Sequence, residues 1–330
     1  MNNYKKPFFS VIIPTYNRKP YIQCAIKSVL KQTFHNYEII VVDDGSVDNT
    51  GVIIAPYVEA GKIKYIYQNN SGVSVARNTG ILNSIGEWVA YLDSDDEWDP
   101  HYLEYQYNRV QEHKGVVTHM CNSEAVDING NRINTFDENT VSSLLKIEDK
   151  LVFERPLYYI IKYRLTTLQS TIMRRKELLQ TSLFDNSLSI AEDHDIIIKM
   201  AEFGPLAIYK AVLAFVIRRE ENFDNLSKQI FVKGVYSCNA FESIYKRALH
   251  TFDCNKKESN IIMKRLSSNR RALGNIYILV GDKINARLYF KESLELHLSI
   301  NSLIKYILSL FPTNMSKYFI VKGKHIHAGE

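Results

Sequence analysis

Short apolar runs alternate with helical patterns over the first 121 residues, and few folds accommodate that order. The runs are rich in β-branched and aromatic side chains, which predicts buried strands. They lie at residues 8–14, 38–43, 63–67, 87–92 and 116–121. Amphipathic helices are predicted between them, at residues 20–32, 48–60, 72–84 and 99–113. Since such alternation builds βαβ units, we predict an α/β fold with a Rossmann-like, mostly parallel sheet flanked by helices.

The polar residues that follow four of these strands mark the expected ligand site. In an open parallel sheet, ligands bind beyond the carboxyl ends of the strands. The segments at that edge are polar, and they span residues 14–18, 43–48, 68–78 and 93–98. The first strand is not followed by GxGxxG, and the sequence contains no GxxxxGK[ST]. These absences disfavour a dinucleotide-binding dehydrogenase and a P-loop enzyme.

The rest of the chain divides into a mixed part and a helical part. Residues 166–178 predict a strand that leads into a helix. A further helix is predicted to end at Gly204, and an apolar run follows at residues 206–217. From about residue 230 the chain is predicted to be wholly helical, with one helix pair joined at Gly281-Asp282. We place the domain boundaries after residues 114 and 227.

Charge is distributed unevenly along the chain. The net charge of +5 at pH 7 is the sum of +10 from residue 228 onward and −5 before it. This asymmetry indicates units with different partners. No segment approaches the roughly 18 uninterrupted apolar residues of a membrane span, and Pro14 interrupts the first apolar run. We therefore expect a soluble, cytoplasmic protein.

Three nearly contiguous aspartates, Asp93, Asp95 and Asp96, follow the fourth strand in the stretch YLDSDDEWDP. Carboxylates this close repel one another unless a cation lies among them. At the end of an extended strand, Asp93 and Asp95 would face the same side, and oxygen ligands suit Mg²⁺ or Mn²⁺. The alternative is an acidic helix N-terminus capped by Asp96 and Asp99. We prefer the metal interpretation for Asp93 and Asp95, and for Asp99 the N-cap of a helix that begins at Pro100.

Five segments of the chain form a recognisable series, namely SVIIPTYNR, QTFHNYEIIVVDDGSVDNT, NNSGVSVARNTGI, GEWVAYLDSDDEW and AEDHDIIIKMAEFG. In this order and spacing they resemble the family-2 glycosyltransferases of the bacterial polysaccharide type, which are inverting enzymes with the GT-A fold. The resemblance covers roughly residues 8–227. It implies a nucleotide-sugar-binding half at residues 1–114 and an acceptor-binding half at 115–227, followed by a basic helical region at 228–330.

The resemblance implies a nucleotide-binding set that consists of Pro14, Thr15, Tyr16, Asn17, Asp43, Asp44, Arg77 and Ser94. In this set Tyr16 would lie against the base, because an aromatic face stacks on a nucleobase. Asp44, with Asp43 as a second candidate, would accept a base N–H, and Arg77 would reach the nucleotide or its diphosphate. Taken alone, the two aspartates also fit a tight turn, and Arg77 also fits an exposed surface position.

The same resemblance implies metal ligands and a catalytic base. Asp93 and Asp95 would hold Mn²⁺ or Mg²⁺ between the two phosphates, with Asp95 as the more direct ligand. Asp193, the second residue of the pair Glu192-Asp193, would accept the proton of the acceptor hydroxyl. Judged by spacing alone, Asp193 and Asp195 also fit helix-capping acids.

One segment departs from the family pattern. Many relatives carry YRxHxxNxS after the last strand, where this chain has VIRREENFDNLS. The arginines, the asparagine and the serine fit, but Glu220 or Glu221 stands near the histidine position. The function of that histidine is therefore expected to be met differently here or not at all.

The resemblance implies a transferase of hexosyl or N-acetylhexosaminyl groups. The expected donor is a UDP-sugar, the acceptor is a hydroxyl of a glycan or a lipid-linked saccharide, and no nucleic-acid partner is expected. A nucleotidyltransferase is one alternative, although it would normally need a glycine-rich basic loop where this chain has PTYNRKPY. A non-catalytic protein that binds sugar nucleotides is another, because the histidine is missing.

An apolar stripe is predicted on the last helix, formed by Ile300, Leu303, Ile304, Ile307, Leu308 and Phe311. Together with the charge of +10, this stripe suits peripheral contact with the inner face of the plasma membrane. The alternative is packing on the catalytic domain or, in a homodimer, on a second copy. We favour packing slightly, since most amphipathic helices face a protein core.

Overall fold

The computed structural model describes most of the chain, namely residues 6–127, 129–138, 141–145, 148–217 and 226–311, without the side chains of 138 and 226–233. The chain forms two compact units, residues 1–221 and 222–330. The boundary predicted after residue 114 lies within the first unit, whose sheet contains strands from both sides of it. The assignment of donor and acceptor halves stays a prediction.

One sheet of ten strands lies at the centre of the described part of the first unit. The strands are β1 (Phe9–Thr15), β2 (Tyr37–Asp43), β3 (Lys64–Tyr67), β4 (Trp88–Tyr91), β5 (Glu97–Trp98), β6 (Thr118–Val126), β7 (Arg132–Asn134), β8 (Lys150–Phe153), β9 (Thr171–Arg174) and β10 (Leu206–Ile217). Their order is β3-β2-β1-β4-β9-β6-β10-β5, with β7 beside β6 and β8 beside β10.

The sheet is mixed but mostly parallel around the expected site. β1 pairs in parallel with β2 and β4, and β2 with β3. β10 is parallel to β6, whereas β9 runs antiparallel to both of its neighbours, β4 and β6. Every residue of β1 is buried, which explains why this strand is an almost unbroken apolar run. The predicted α/β sheet is confirmed.

The strands that carry the polar segments end at one edge of the sheet. Thr15 pairs with Asp43, and Asp43 with Tyr67, so β1, β2 and β3 end together. The amide of Leu92, directly after β4, donates to the carbonyl of Ile12 at 3.0 Å. The segments after these four strands are therefore neighbours, as predicted.

Eight helices belong to the first unit as described. They are α1 (Ile22–Leu30), α2 (Thr50–Glu59), α3 (Val73–Leu82), α4 (Tyr102–Glu112), α5 (Thr135–Glu138), α6 (Leu157–Tyr163), α7 (Arg175–Leu178) and α8 (Glu192–Met200). Ile22, Ala25, Ile26 and Val29 of α1 are buried, which confirms the predicted apolar stripe there.

Helix α3 lies close against β1 because it carries a glycine at the contact. A Cβ on Gly80 would meet Cγ2 of Ile12 at 2.5 Å. The helix is preceded by Gly72, whose φ of 93° is one that glycine adopts without strain. Arg77 lies one turn before Gly80, so the same packing fixes its backbone relative to the sheet.

Helix α4 begins later than predicted. Its first residue is Tyr102 and its N-cap is His101. Asp99 instead accepts the amide of His101 at 2.8 Å in the turn that precedes the helix. The prediction that Asp99 caps a helix starting at Pro100 is therefore wrong. Nor does Asp96 cap that helix, because its Oδ1 accepts the amide of Ile217 at 2.9 Å.

The second unit is helical throughout its described part. It contains α9 (Leu226–Thr251), α10 (Lys256–Val280), α11 (Lys283–Leu296) and α12 (Ile300–Leu308). Helix α10 ends at Val280 with Gly281 as its C-cap, at φ of 91°, and Asp282 caps α11 by accepting the amide of Asn285. This confirms the helix pair predicted at Gly281-Asp282.

The apolar stripe of α12 is largely exposed. Ile300, Leu303, Ile304 and Ile307 are exposed, and Leu308 is half-buried. Both predicted partners for this face, a membrane and a protein surface, stay predictions. Among the described residues, none of the helices has the length and apolarity required to cross a bilayer.

Candidate active site

A cavity of about 520 Å³ opens at the edge of the sheet where β1, β2 and β4 end. This volume lies within the range of cavities that hold small ligands. The cavity is lined by Pro14, Thr15, Tyr16, Arg18, Asp44, Asn70, Gly72, Val73, Ala76, Arg77, Asp93, Ser94, Asp95 and Glu192. Eight of the eleven residues predicted for the site are in this set.

The other three predicted residues, Asn17, Asp43 and Asp193, do not line the cavity but are adjacent in the chain to residues that do. Asn17 is left-handed, with φ of 51°, and its side chain accepts the amide of Val47 at 2.8 Å. Asp43 accepts the amide of Ser46 and the hydroxyl of Tyr65, each at 2.8 Å. Both residues thus hold neighbouring loops in the described structure, and their contact with a nucleotide stays a prediction.

Asp44 organises the loop that forms one wall of the cavity. Its Oδ1 accepts the side-chain amide of Gln68 at 2.7 Å and the backbone amide of Ser71 at 3.0 Å. Its Oδ2 accepts the amide of Gly72 at 2.8 Å. These three bonds hold a carboxylate that is only 3% exposed at the cavity wall. The tight turn considered from the sequence accounts for none of them, since the partners lie over 20 residues away.

Tyr16 presents an open aromatic surface beside this wall. Its side chain is 47% exposed, which is unusual for a residue directly after a buried strand. The loop that carries it is fixed from the other side, because the amide of Asn17 donates to Ser46 Oγ at 2.9 Å and the amide of Arg18 to Thr50 Oγ1 at 3.2 Å. A planar ligand can therefore stack on Tyr16 without reordering its loop.

The acidic segment after β4 is a turn and not an extension of the strand. The strand ends at Tyr91, and the amide of Asp96 donates to the carbonyl of Asp93 at 3.1 Å. The argument that Asp93 and Asp95 face one side of a strand is therefore wrong in its premise. Both residues nevertheless line the cavity, together with Ser94.

The two aspartates of this turn are held differently. Oδ1 of Asp93 accepts Nη2 of Arg77 at 2.9 Å, and its Oδ2 accepts Nε2 of Gln169 at 2.6 Å. Asp95 is 3.5 Å from Nη2 of Arg18, whose side chain is 46% exposed. Asp93 thus accepts a hydrogen bond from the protein at each carboxylate oxygen, and Asp95 lies in a long ion pair with an exposed arginine.

The carboxylates of this turn suit a hard divalent cation whose remaining ligands are oxygen atoms from outside the protein. Within the described residues, no cluster of three or more His, Cys, Asp and Glu side chains has the arrangement of a metal site. A divalent ion would therefore rest on Asp95, with Asp93 beside it. The remaining positions would be filled by phosphate and water, as Mg²⁺ sites commonly are.

Helix α8 brings a pair of carboxylates to the cavity. Its N-cap, Ala191, is left-handed at φ of 61°, a strained conformation for a residue with a Cβ. Glu192 lines the cavity, and Asp193 follows with Oδ1 accepting the amide of His194 at 2.7 Å. Asp195 is buried and pairs with Lys199 at 2.8 Å, so its role is structural.

The surroundings of Asp193 raise its pKa to about 7. Burial is the main cause, and the negative charge of Glu192 adds to it, while the amide of His194 and the charge of Arg77 act in the opposite direction. A carboxyl group with this pKa exchanges protons near neutral pH, which is the property required of a general base. Helix capping alone does not explain this arrangement.

Several residues of the site escaped the sequence analysis. Gln169 binds Asp93, and its carbonyl accepts Nε1 of Trp98 at 2.8 Å. Arg18 and Asn70 line the cavity, and Glu192 pairs with Arg77 at 2.9 Å. Glu192 and Arg18 belong to the motifs quoted above, whereas no local sequence pattern indicates a function for Gln169. The segment with Glu220 and Glu221 near the family histidine lies outside the described residues.

Residues 10–173 match the family model described as Glycosyl transferase family 2. An uncharacterized glycosyltransferase of Rickettsia prowazekii is 35% identical to this chain over 196 residues, which are 59% of this chain and 58% of the relative. The chain thus spans less than two thirds of that relative.

Two solved structures share the fold. S. aureus TarS 1-349 in complex with UDP matches 96% of this chain and 91% of its own, with a TM-score of 0.65 and 20% identity. Mannosyltransferase PcManGT from Pyrobaculum calidifontis, in complex with GDP-Man and Mn2+, matches 99% of this chain and 89% of its own, with a TM-score of 0.55 and 17% identity. These matches confirm the GT-A arrangement.

Proposed function

Because this chain belongs to glycosyl transferase family 2 through residues 10–173, we propose that it is an inverting glycosyltransferase that uses a nucleotide-diphospho-sugar. The proposed donor is a UDP-sugar carrying a hexose or N-acetylhexosamine, and the proposed acceptor is a hydroxyl of a glycan or lipid-linked saccharide. The proposal is carried by one observation: Glu192 lines a cavity that also contains Tyr16 and Asp95, and its chain neighbour Asp193 has a pKa raised by burial to about 7.

The nucleotide part of the donor would lie between Tyr16 and the Asp44 wall. The exposed ring of Tyr16 offers a stacking surface, and Pro14 and Thr15 continue the same wall. Asp44 still has acceptor capacity, because a carboxylate has about four lone-pair sites and three are used. It is suited to accept an N–H of the base.

The diphosphate would lie toward the acidic turn. Asp95, with Asp93 beside it, would hold a Mn²⁺ or Mg²⁺ ion, which when bound supplies positive charge to the departing diphosphate. Ser94 lines the same part of the cavity. Arg18 is the exposed cation at this mouth, since 46% of its side chain is accessible.

Asp193 would act on the acceptor. Its carboxylate would accept the proton of the acceptor hydroxyl as that oxygen bonds to the anomeric carbon. The bond between this carbon and the diphosphate breaks in the same displacement, so the configuration inverts. Partial burial keeps the carboxylate a stronger base than an exposed aspartate, because burial disfavours its charged form.

The test is a panel of UDP- and GDP-sugars with Mn²⁺ or Mg²⁺, with hydrolysis and transfer to simple glycosides as readouts. We expect turnover with at least one UDP-sugar, an inverted product by NMR, and saturable binding of UDP by calorimetry. Asp193→Asn should lower transfer by about 10² to 10⁴ while UDP binding is kept. Absence of UDP binding and of turnover with every donor would overturn the proposal.

A further inference from the structure

A charge cluster around the buried Arg77 links the acidic turn after β4 to the carboxylate pair of α8. Arg77, which is 4% exposed, donates from Nη1 to Glu192 and from Nη2 to Asp93, each at 2.9 Å. These partners lie 115 and 16 residues away in the chain. One guanidinium therefore joins the first turn of α8, which carries Asp193, to the acidic turn after β4.

The position of Arg77 is fixed by its surroundings. Its guanidinium carbon lies 5.5 Å from the centre of the Phe184 ring, over the ring face. The loop with Phe184 is attached to α3 by Asn78, which donates to the Phe184 carbonyl and accepts its amide, both at 2.9 Å. Since Asn78 follows Arg77 directly, the arginine has little freedom to turn toward a ligand.

The charges around Arg77 are already compensated. Two carboxylates face its guanidinium, and they raise its pKa further above the ordinary value against the effect of burial. The cluster of Arg77, Glu192 and Asp93 therefore has a formal charge of −1 and no positive charge left for a diphosphate. This contrasts with Arg18, whose only described ion pair is a 3.5 Å contact.

We propose that Arg77 is a positioning residue that, through Glu192, holds Asp193 in place relative to the acidic turn, and that it is not a ligand of the donor diphosphate. Gln169 completes the arrangement by binding the second oxygen of Asp93 at 2.6 Å. The strained N-cap at Ala191 is consistent with a helix start held by contacts of its neighbours. The inference rests on the proposed function in taking Asp193 as the base.

The first experiment compares UDP and UMP affinities of the wild type and Arg77→Gln by calorimetry with Mn²⁺. If Arg77 acts only through Glu192, the preference for UDP over UMP changes less than threefold. If Arg77 binds the β-phosphate, that preference falls by tenfold or more, since a charge-assisted bond is lost. A fall of that size would overturn the proposal. Arg18→Gln is the comparison for which a reduced preference is expected.

The second experiment measures transfer by Arg77→Gln, Glu192→Gln and the double variant. Residues that act as a unit lose activity non-additively. We expect kcat to fall about 10- to 100-fold in each single variant and no further in the double variant, with donor KM nearly constant. Arg77→Lys should regain only part of the loss. Additive losses, or a raised donor KM with unchanged kcat, would overturn the proposal.

Glu192→Gln also guards against misfolding, because Gln keeps the shape of Glu192 but accepts only a weaker, uncharged bond from Arg77. Arg77→Gln instead leaves two half-buried carboxylates without their guanidinium partner. Arg109→Gln is the matched control. Arg109 pairs with Glu112 at 2.7 Å and lies over the ring of Tyr105, away from the cavity. We expect this variant to lose stability without a change in kcat or in the pH profile.

The third experiment needs no substrate, so it separates this inference from the proposed function. The melting temperature of each variant is compared with that of the same variant carrying Asp193→Asn, from pH 4 to pH 9. Asp193 faces Glu192, Arg77 and Asp93, so its titration should move upward in Arg77→Gln and downward in Glu192→Gln. Titration at an unchanged pH in both variants would overturn the proposal, even if UDP proved not to bind at all.

Discussion

Replacing Asp193 by asparagine should stabilise the first unit at pH 8 and leave its stability nearly unchanged near pH 4. The folded protein raises the pKa of this carboxyl from an ordinary 3.8 to about 7. Between these values the folded state holds a proton that the unfolded state has lost. The free energy of unfolding therefore decreases as the pH rises between these two pKa values, by about 1.4 kcal/mol for each pH unit.

The difference of about 3 pH units corresponds to at most about 4 kcal/mol above pH 7. Asp193 keeps partial access to solvent, so we expect about half of this, or about 2 kcal/mol. Asparagine retains an oxygen for the amide of His194 and has no charge to desolvate. In a unit of this size, the gain corresponds to a melting temperature about 4 to 8 °C higher at pH 8.

The assay is differential scanning fluorimetry of both proteins at half-unit steps from pH 4 to pH 9. Asp48→Asn is the control of opposite sign. Although burial raises the pKa of Asp48, hydrogen bonds from Thr50 and Lys19 lower it overall. A carboxyl group with a lowered pKa stabilises the folded protein at pH values above its unfolded pKa. Asp48→Asn should therefore be less stable than the wild type at pH 8. A stability difference for Asp193→Asn that does not grow between pH 4 and pH 7 would refute the reasoning.

Three further substitutions and one binding experiment test other parts of the structure. Asp95→Asn should abolish turnover and the response of the melting temperature to Mn²⁺ plus UDP while the protein stays folded; metal-dependent turnover in this variant would contradict the metal assignment. Asp44→Asn should cost about 1–3 kcal/mol in urea unfolding and weaken UDP binding, because one loop amide loses its acceptor; unchanged values for both would exclude its role in the wall. Gly80→Ala should destabilise by about 1–3 kcal/mol, since its Cβ meets Ile12, and a neutral result would mean that α3 shifts freely on the sheet. The full chain should co-sediment with anionic vesicles at low salt and be released at high salt if the exposed face of α12 binds membranes, whereas no binding at low salt would leave packing against protein as the explanation.

The fold of the first unit was predictable because its signals are local. The apolar run of β1 and the stripe of α1 each appear within about ten residues, and strands that alternate with helices leave few topologies. The same logic located the cavity, since parallel strands end at one edge. Thr15 and Asp43 are paired in the sheet although they are far apart in the chain.

The contacts that define the site were not predictable in the same way. The partner of Arg77 on α8 lies 115 residues away, and no local pattern reports a buried ion pair over that distance. The hydrogen bond from Ile217 to Asp96 stands in place of the capping role that the sequence offered as an alternative. Gln169 was missed because a lone glutamine before a strand has many uses. In each case a contact between residues far apart in the chain determined the role of the side chain, and such contacts have no local sequence pattern.

The position of β9 has a consequence for how the protein is made. β9 lies between β4 and β6 in the sheet, yet it is synthesised about 80 residues after β4. At ribosomal rates of about 5–20 residues per second, β4 waits roughly 4 to 16 seconds for this neighbour. During that interval its free edge is open to pairing with other chains, as unprotected strand edges are. Gln169 is synthesised just before β9 and α8 after it, so the nascent chain cannot bring its base and acidic turn together until β9 has been made.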